Sequence, residues 1–89
     1  MKFVFRILDV DTNRLKHAEA AIRRMVRKYG FSADIFQVQE VLEHGRLGIA
    51  GELPALEING VIVCKNNILN EETLGPLFEG LYAYYPKSK

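Results

Sequence analysis

The stretch LPALEINGVIVC, Leu53–Cys64, decides how this chain folds. Two β-prone runs, Ala55–Ile58 and Val61–Cys64, flank Asn59-Gly60. Asn-Gly between apolar runs is the strongest short hairpin signal, because a two-residue type I′ turn needs positive φ at both positions. Pro54 precedes the first run, a place where a strand tolerates a residue without an N–H. A hairpin so placed needs upstream strands to pair with and helices to pack on it.

Those elements are legible. KFVFRIL, Lys2–Leu8, is a β-branched and aromatic run with no breaker, suited to a strand buried on both faces. Leu15, Ala18, Ile22, Met25, Val26 and Tyr29 then recur at helical spacing, with Lys16, Arg23, Arg24, Arg27 and Lys28 turned outward. Asp11 or Thr12 is the natural N-cap of this helix and Gly30 its C′ stop. Ser32–Gln39 reads as a second strand carrying Ile35 and Phe36, and Glu40–Gly45 as a short helix, with Gly45, Gly48 and Gly51 as candidate hinges. Asn70 can cap a last helix through Glu71, Glu72, Leu74, Leu77, Phe78 and Leu81. Pro76 is awkward there, since an interior proline costs about 3 kcal/mol. Either that helix kinks, or it starts near Gly75 with Pro76 in its first turn. The expected fold is α/β, in the order βαβαββα, with a right-handed first crossover. One mixed four-stranded sheet carries helices on both faces. Residues 1–89 form a single domain with its core in 2–81 and a tail, 82–89, whose Tyr82, Tyr84 and Tyr85 are expected to be partly ordered.

Composition narrows the classes of function. Apolar content of 48% and charged content of 26% suit a globular domain rather than a disordered chain. No apolar run approaches the roughly 20 residues of a membrane span, and Met1–Leu8 is too short for a signal peptide. With one cysteine, Cys64, the chain is expected to be cytoplasmic. Residues 1–28 hold eight basic and three acidic side chains, a balance of +5, and the remainder four and eight, a balance of −4. Such segregation can orient a partner. Nucleic acid is not the expected one, because the aromatic residues are not interleaved with the basic helix face.

The element order, joined to Leu53-Pro54-Ala55-Leu56 and Asn59-Gly60-Val61, resembles the thioredoxin-like superfamily. It is most similar to the small thioredoxin/glutaredoxin-type domains known as redox-active disulfide proteins, over roughly Lys2 to Leu81. The resemblance implies a cis peptide bond before Pro54, which costs little for X-Pro. The backbone of Leu53 would then face the start of the first helix and offer its N–H and C=O to an extended peptide or to glutathione. It also implies a Cys-x-x-Cys pair between the first strand and first helix, where a helix N-terminus favours a thiolate and a second thiol resolves the mixed disulfide. The corresponding segment, Asp9–Leu15, contains no cysteine. Aligned back from Tyr29-Gly30, Thr12 and Leu15 occupy the two cysteine positions; aligned forward from Lys2, Val10 and Asn13 do. The first register is preferred, because Leu15 joins the buried stripe and Thr12 suits a cap.

Other chemistry in LDVDTNRL, Leu8–Leu15, finds little support. Asp9-x-Asp11-x-Asn13 imitates the start of an EF-hand loop, but Arg14 stands where glycine is required and Ala20 where glutamate is. The apolar strand followed by Asp-x-Asp also resembles haloacid-dehalogenase phosphatases, whose threonine is here displaced by one residue. Helix capping and charge–dipole complementarity account for Asp9, Asp11 and Thr12, at about 1 kcal/mol. His17 and His44 lack partners at metal-ligand spacing, so neither a metal nor a cofactor is expected. Cys64 lies in a strand, where a thiol behaves as a small hydrophobe unless activated.

The expectation is a binding or regulatory module without dithiol chemistry, engaging a protein or peptide through Asp11, Thr12, Asn13, Leu53 and Pro54. The alternative is a glutathione- or thiol-dependent enzyme using Thr12 or Cys64. A third possibility is self-association through an edge strand or the tyrosine tail.

Overall fold

In the computed structural model, which describes residues 2–84, four strands and three helices follow the expected order. They are β1 Lys2–Leu8, α1 Thr12–Tyr29, β2 Ser32–Val38, α2 Val41–Arg46, β3 Ala55–Ile58, β4 Val61–Lys65 and α3 Glu71–Tyr84. The fold is α/β around one mixed sheet of strand order β2-β1-β3-β4. β1 runs parallel to β2 and antiparallel to β3, and β3 pairs antiparallel with β4.

Local chemistry sets the boundaries. Asp11 caps α1, and Gly30 stops it in the left-handed region at φ 73° with its N–H on the Arg27 carbonyl. Asn59 and Gly60 take φ 51° and 86° as a primed turn requires. Asn59 does more than turn the chain. Its N–H donates to the Val4 carbonyl at 2.9 Å and its Oδ1 accepts the Val4 N–H at 2.8 Å, which extends the β1–β3 pairing beyond Ile58. The β3–β4 register slips between Leu56 and Glu57, so that the pairing skips Val63 of β4. This bulge sets Cys64 opposite Leu56.

Alternate residues of a strand point to opposite faces. Phe3, Phe5 and Ile7 of β1 accordingly meet Leu15, Ile22 and Met25 of α1, Leu56 and Ile58 of β3, and Leu74 and Phe78 of α3 in the main core. The Phe5 and Phe78 rings stack at 5.6 Å, 4° from parallel. A smaller cluster joins Leu8, Ile49 and Ala55, with Val38, Leu47, Leu53 and Ile62 at its edge. Arg6 ties α2 to the sheet, with Nη1 donating to Glu57 and Nη2 to Glu43, each at 2.9 Å, while Arg46 holds Glu43 from α2 itself.

The C-terminal end decides between the alternatives left open around Pro76. α3 starts at Glu71, with the Asn70 Oδ1 accepting the Thr73 N–H at 2.9 Å, and runs through Pro76 instead of starting near it. Pro76 is exposed, and so is Glu72, whose carbonyl loses the backbone hydrogen bond that the proline cannot donate. At the start of the expected tail, Tyr82 and Tyr84 belong to α3. Tyr82 packs on Tyr29 at 5.5 Å. Tyr85 lies outside the described residues.

Candidate functional site

The loop between β1 and α1 is rigidly defined. Asp11 is extended (φ −92°, ψ 116°) and its Oδ1 accepts the Arg14 N–H at 2.9 Å, so Asp11 rather than Thr12 is the cap. Thr12 is exposed in the first turn, and its Oγ1 accepts the Gln39 side-chain amide at 3.0 Å. Among the described residues no carboxylate or imidazole hydrogen-bonds that hydroxyl. Asn13 is exposed and Leu15 fully buried.

Asp9 departs from the expected capping role. It is fully buried and holds Arg14 through both oxygens, with Nε donating to Oδ2 and Nη2 to Oδ1, each at 2.7 Å. Oδ1 also accepts the Val10 N–H at 2.7 Å. Burial alone pushes the Asp9 carboxyl up. The Arg14 hydrogen bonds, the Val10 N–H and the Arg14 charge outweigh it and hold the pKa below the ordinary carboxylate value. This pair was hidden in the sequence, where Asp-x-x-x-x-Arg across a helix start carries no recognised signature. The Asp9 N–H donates to the Val38 carbonyl at 3.3 Å, and that carbonyl also accepts the buried His44 Nε2–H at 2.7 Å. The His44 Nδ1 has no hydrogen-bond partner among the described residues.

The Leu53–Pro54 peptide bond is cis. On either side of Leu53 the backbone is tied down, since the Glu52 carbonyl accepts the Asn66 N–H at 2.9 Å and the Pro54 carbonyl the Asn67 N–H at 3.5 Å. Leu53 itself is different. Among the described residues neither its N–H nor its C=O has a hydrogen-bond partner. Its side chain packs on the Leu8, Ile49 and Ala55 cluster, so only the backbone is on offer.

A groove of about 420 Å³ runs beside Pro54. Arg14, His17, Ala21 and Arg24 line it from α1, facing Pro54 and Ile68. Of the expected contacts Pro54 lines it; its chain neighbour Leu53 does not, nor do Asp11, Thr12 and Asn13. The helix start turns these last three toward Gln39 and solvent, and the next turns of α1 form the wall instead. Cys64 lies outside this groove, half-buried in β4 against the main core. Burial pushes its thiol pKa up, opposite to the shift of an activated cysteine. Among the described residues no group of three or more His, Cys, Asp or Glu side chains is placed to hold a metal, and no helix is long and apolar enough to cross a membrane.

No protein-family model matches the chain, and no curated protein is significantly similar to it.

Proposed function

We propose that this chain is a thioredoxin-like domain without the redox pair, a binding module that engages an extended peptide at Leu53. The unpartnered N–H and C=O of Leu53, held between two anchored neighbours, carry this reading. A free donor and acceptor on one residue are what a peptide strand needs for a short stretch of β-augmentation. The strand order β2-β1-β3-β4 and the cis Leu53–Pro54 bond support the thioredoxin-like assignment. Helices on both faces fit a main cluster on Phe3, Phe5 and Ile7 of β1 and a smaller one that takes Leu8 from its other face. The buried Leu15 and exposed Thr12 favour the register in which these two replace the cysteines. No observation favours an enzyme using Thr12 or Cys64.

The test has two arms. Dithiothreitol-treated protein is expected to leave a disulfide substrate such as insulin unreduced, and turnover above the dithiothreitol background would sink the redox-inactive reading. Unlabelled blocked peptide added to the nitrogen-15 protein is expected to shift the Leu53 amide. An unmoved Leu53 resonance at millimolar peptide removes the binding reading. A parallel glutathione titration shows whether Leu53 accepts that tripeptide as well.

A further inference from the structure

The groove beside Pro54 has a chemical pattern of its own. Arg14, His17, Ala21 and Arg24 fall at i, i+3, i+7 and i+10 and form a stripe on one face of α1. The stripe is cationic at its ends, with exposed His17 and buried Ala21 between them. Ala21 is buried in the floor, and Ile68, 63% exposed, stands across from it. Each arginine is only partly satisfied. Asp9 takes Nε and Nη2 of Arg14, and Glu71 takes Nε of Arg24. Among the described residues, Nη1 of Arg14 and both terminal nitrogens of Arg24 have no acceptor. Buried Asp9 grips Arg14 at two nitrogens and orients its spare donor before anything binds, while Arg24 meets Glu71 through Nε alone in a half-exposed pair.

We propose that this groove selects extended peptides bearing an apolar side chain between two acidic ones. The inference rests on the peptide-binding reading of Leu53 and adds the partner's chemistry. Spacing supports it. Ten helical residues rise about 15 Å at 1.5 Å each, and acidic residues four apart on a strand lie about 13 Å apart. A carboxylate near each end then meets an arginine, while the residue between them sits on Ala21 against Ile68 and Pro54. Free donors at two separate points match a peptide with two carboxylates better than a single small anion.

Nitrogen-15 labelled full chain is titrated with acetyl-Glu-Thr-Leu-Thr-Glu-amide, its charge-reversed form acetyl-Lys-Thr-Leu-Thr-Lys-amide, the apolar-deleted form acetyl-Glu-Thr-Gly-Thr-Glu-amide, and sodium succinate. The first peptide is expected to shift Leu53, Ala21 and Ile68 saturably, and to bind about tenfold tighter than either of the other two. Arg24→Gln should weaken the first peptide about fivefold and leave the lysine peptide unchanged. Ile68→Ser, at an exposed loop position, should erase the preference for leucine over glycine. Equal affinity for acidic and basic peptides, with Leu53 still shifting, overturns the selectivity and leaves Leu53 as a peptide site. Silence at Leu53 with all three peptides overturns both readings. Succinate moving the same amides as far as the first peptide marks a small-anion site and overturns the peptide assignment.

Discussion

Asn59 offers a quantitative test of how this fold is held. Its Oδ1 accepts the Val4 N–H at 2.8 Å, and its backbone sits at φ 51°. Asn59→Ala removes the acceptor, a net loss of about 1 kcal/mol. It also places a β-carbon in the left-handed region without a side chain suited to it, at about 1–2 kcal/mol. The sum is about 2–3 kcal/mol, and a domain of this size loses about 4–8 °C of Tm per kcal/mol. Asn59→Ala should therefore melt roughly 10–20 °C below wild type. Asn59→Gly separates the two effects. Glycine accepts the positive φ but loses the hydrogen bond and some entropy, so it should cost about 1.5 kcal/mol. Asn59→Asp keeps both an acceptor and tolerance of this backbone, and should stay within about 0.5 kcal/mol. Thermal and urea unfolding followed by circular dichroism supply the values, with an unchanged m confirming that only stability moved. Equal losses for Ala and Gly would refute the backbone argument. A Gly variant as stable as wild type would refute the hydrogen-bond argument.

Two further outcomes follow from the titrating groups. The Asp9 pKa is lowered in the folded protein, so its contribution is fully present above the unfolded carboxylate value near pH 4 and is lost as pH falls through the folded value. Asp9→Asn should therefore flatten the acid limb of stability against pH between neutral and pH 3, and a limb as steep as wild type would show that Arg14 does not hold the carboxylate. Cys64, with its thiol pKa raised by burial, should react with iodoacetamide at pH 7.5 more slowly than in urea-unfolded chain; equal rates would place the thiol in solvent.

Much of the fold was legible because its signals are local. A capping aspartate, a left-handed Gly30 and a two-residue Asn-Gly turn act within a few residues, and each appears where the pattern puts it. Pro76 was harder. Its penalty depends on whether the carbonyl it leaves unpaired meets protein or water, and the sequence does not say which way that turn of α3 faces. The site was legible only in part. Leu53 and Pro54 stand out as a motif, but the groove wall depends on which turns of α1 pass Pro54, and that is set by tertiary packing. Asp9 resembled Asp11 as text and differs from it entirely in burial. Its partner five residues on cannot be inferred from helix spacing, because the chain between them is only partly helical.

The unequal size of the two hydrophobic clusters has a consequence for how the molecule breathes. The main core draws on β1, α1, β3 and α3, whereas the second is buried at only Leu8, Ile49 and Ala55. The segment from Gln39 to Glu52 is held chiefly by that patch, by the Arg6–Glu43 bridge and by His44 on the Val38 carbonyl. Amides there should exchange with solvent through sub-global openings well below the free energy of complete unfolding, while those of β1 and α1 should wait for the whole domain to open. A protease meeting the native protein should make its first cut in this stretch, and leave a sheet still clasped by the longer helices.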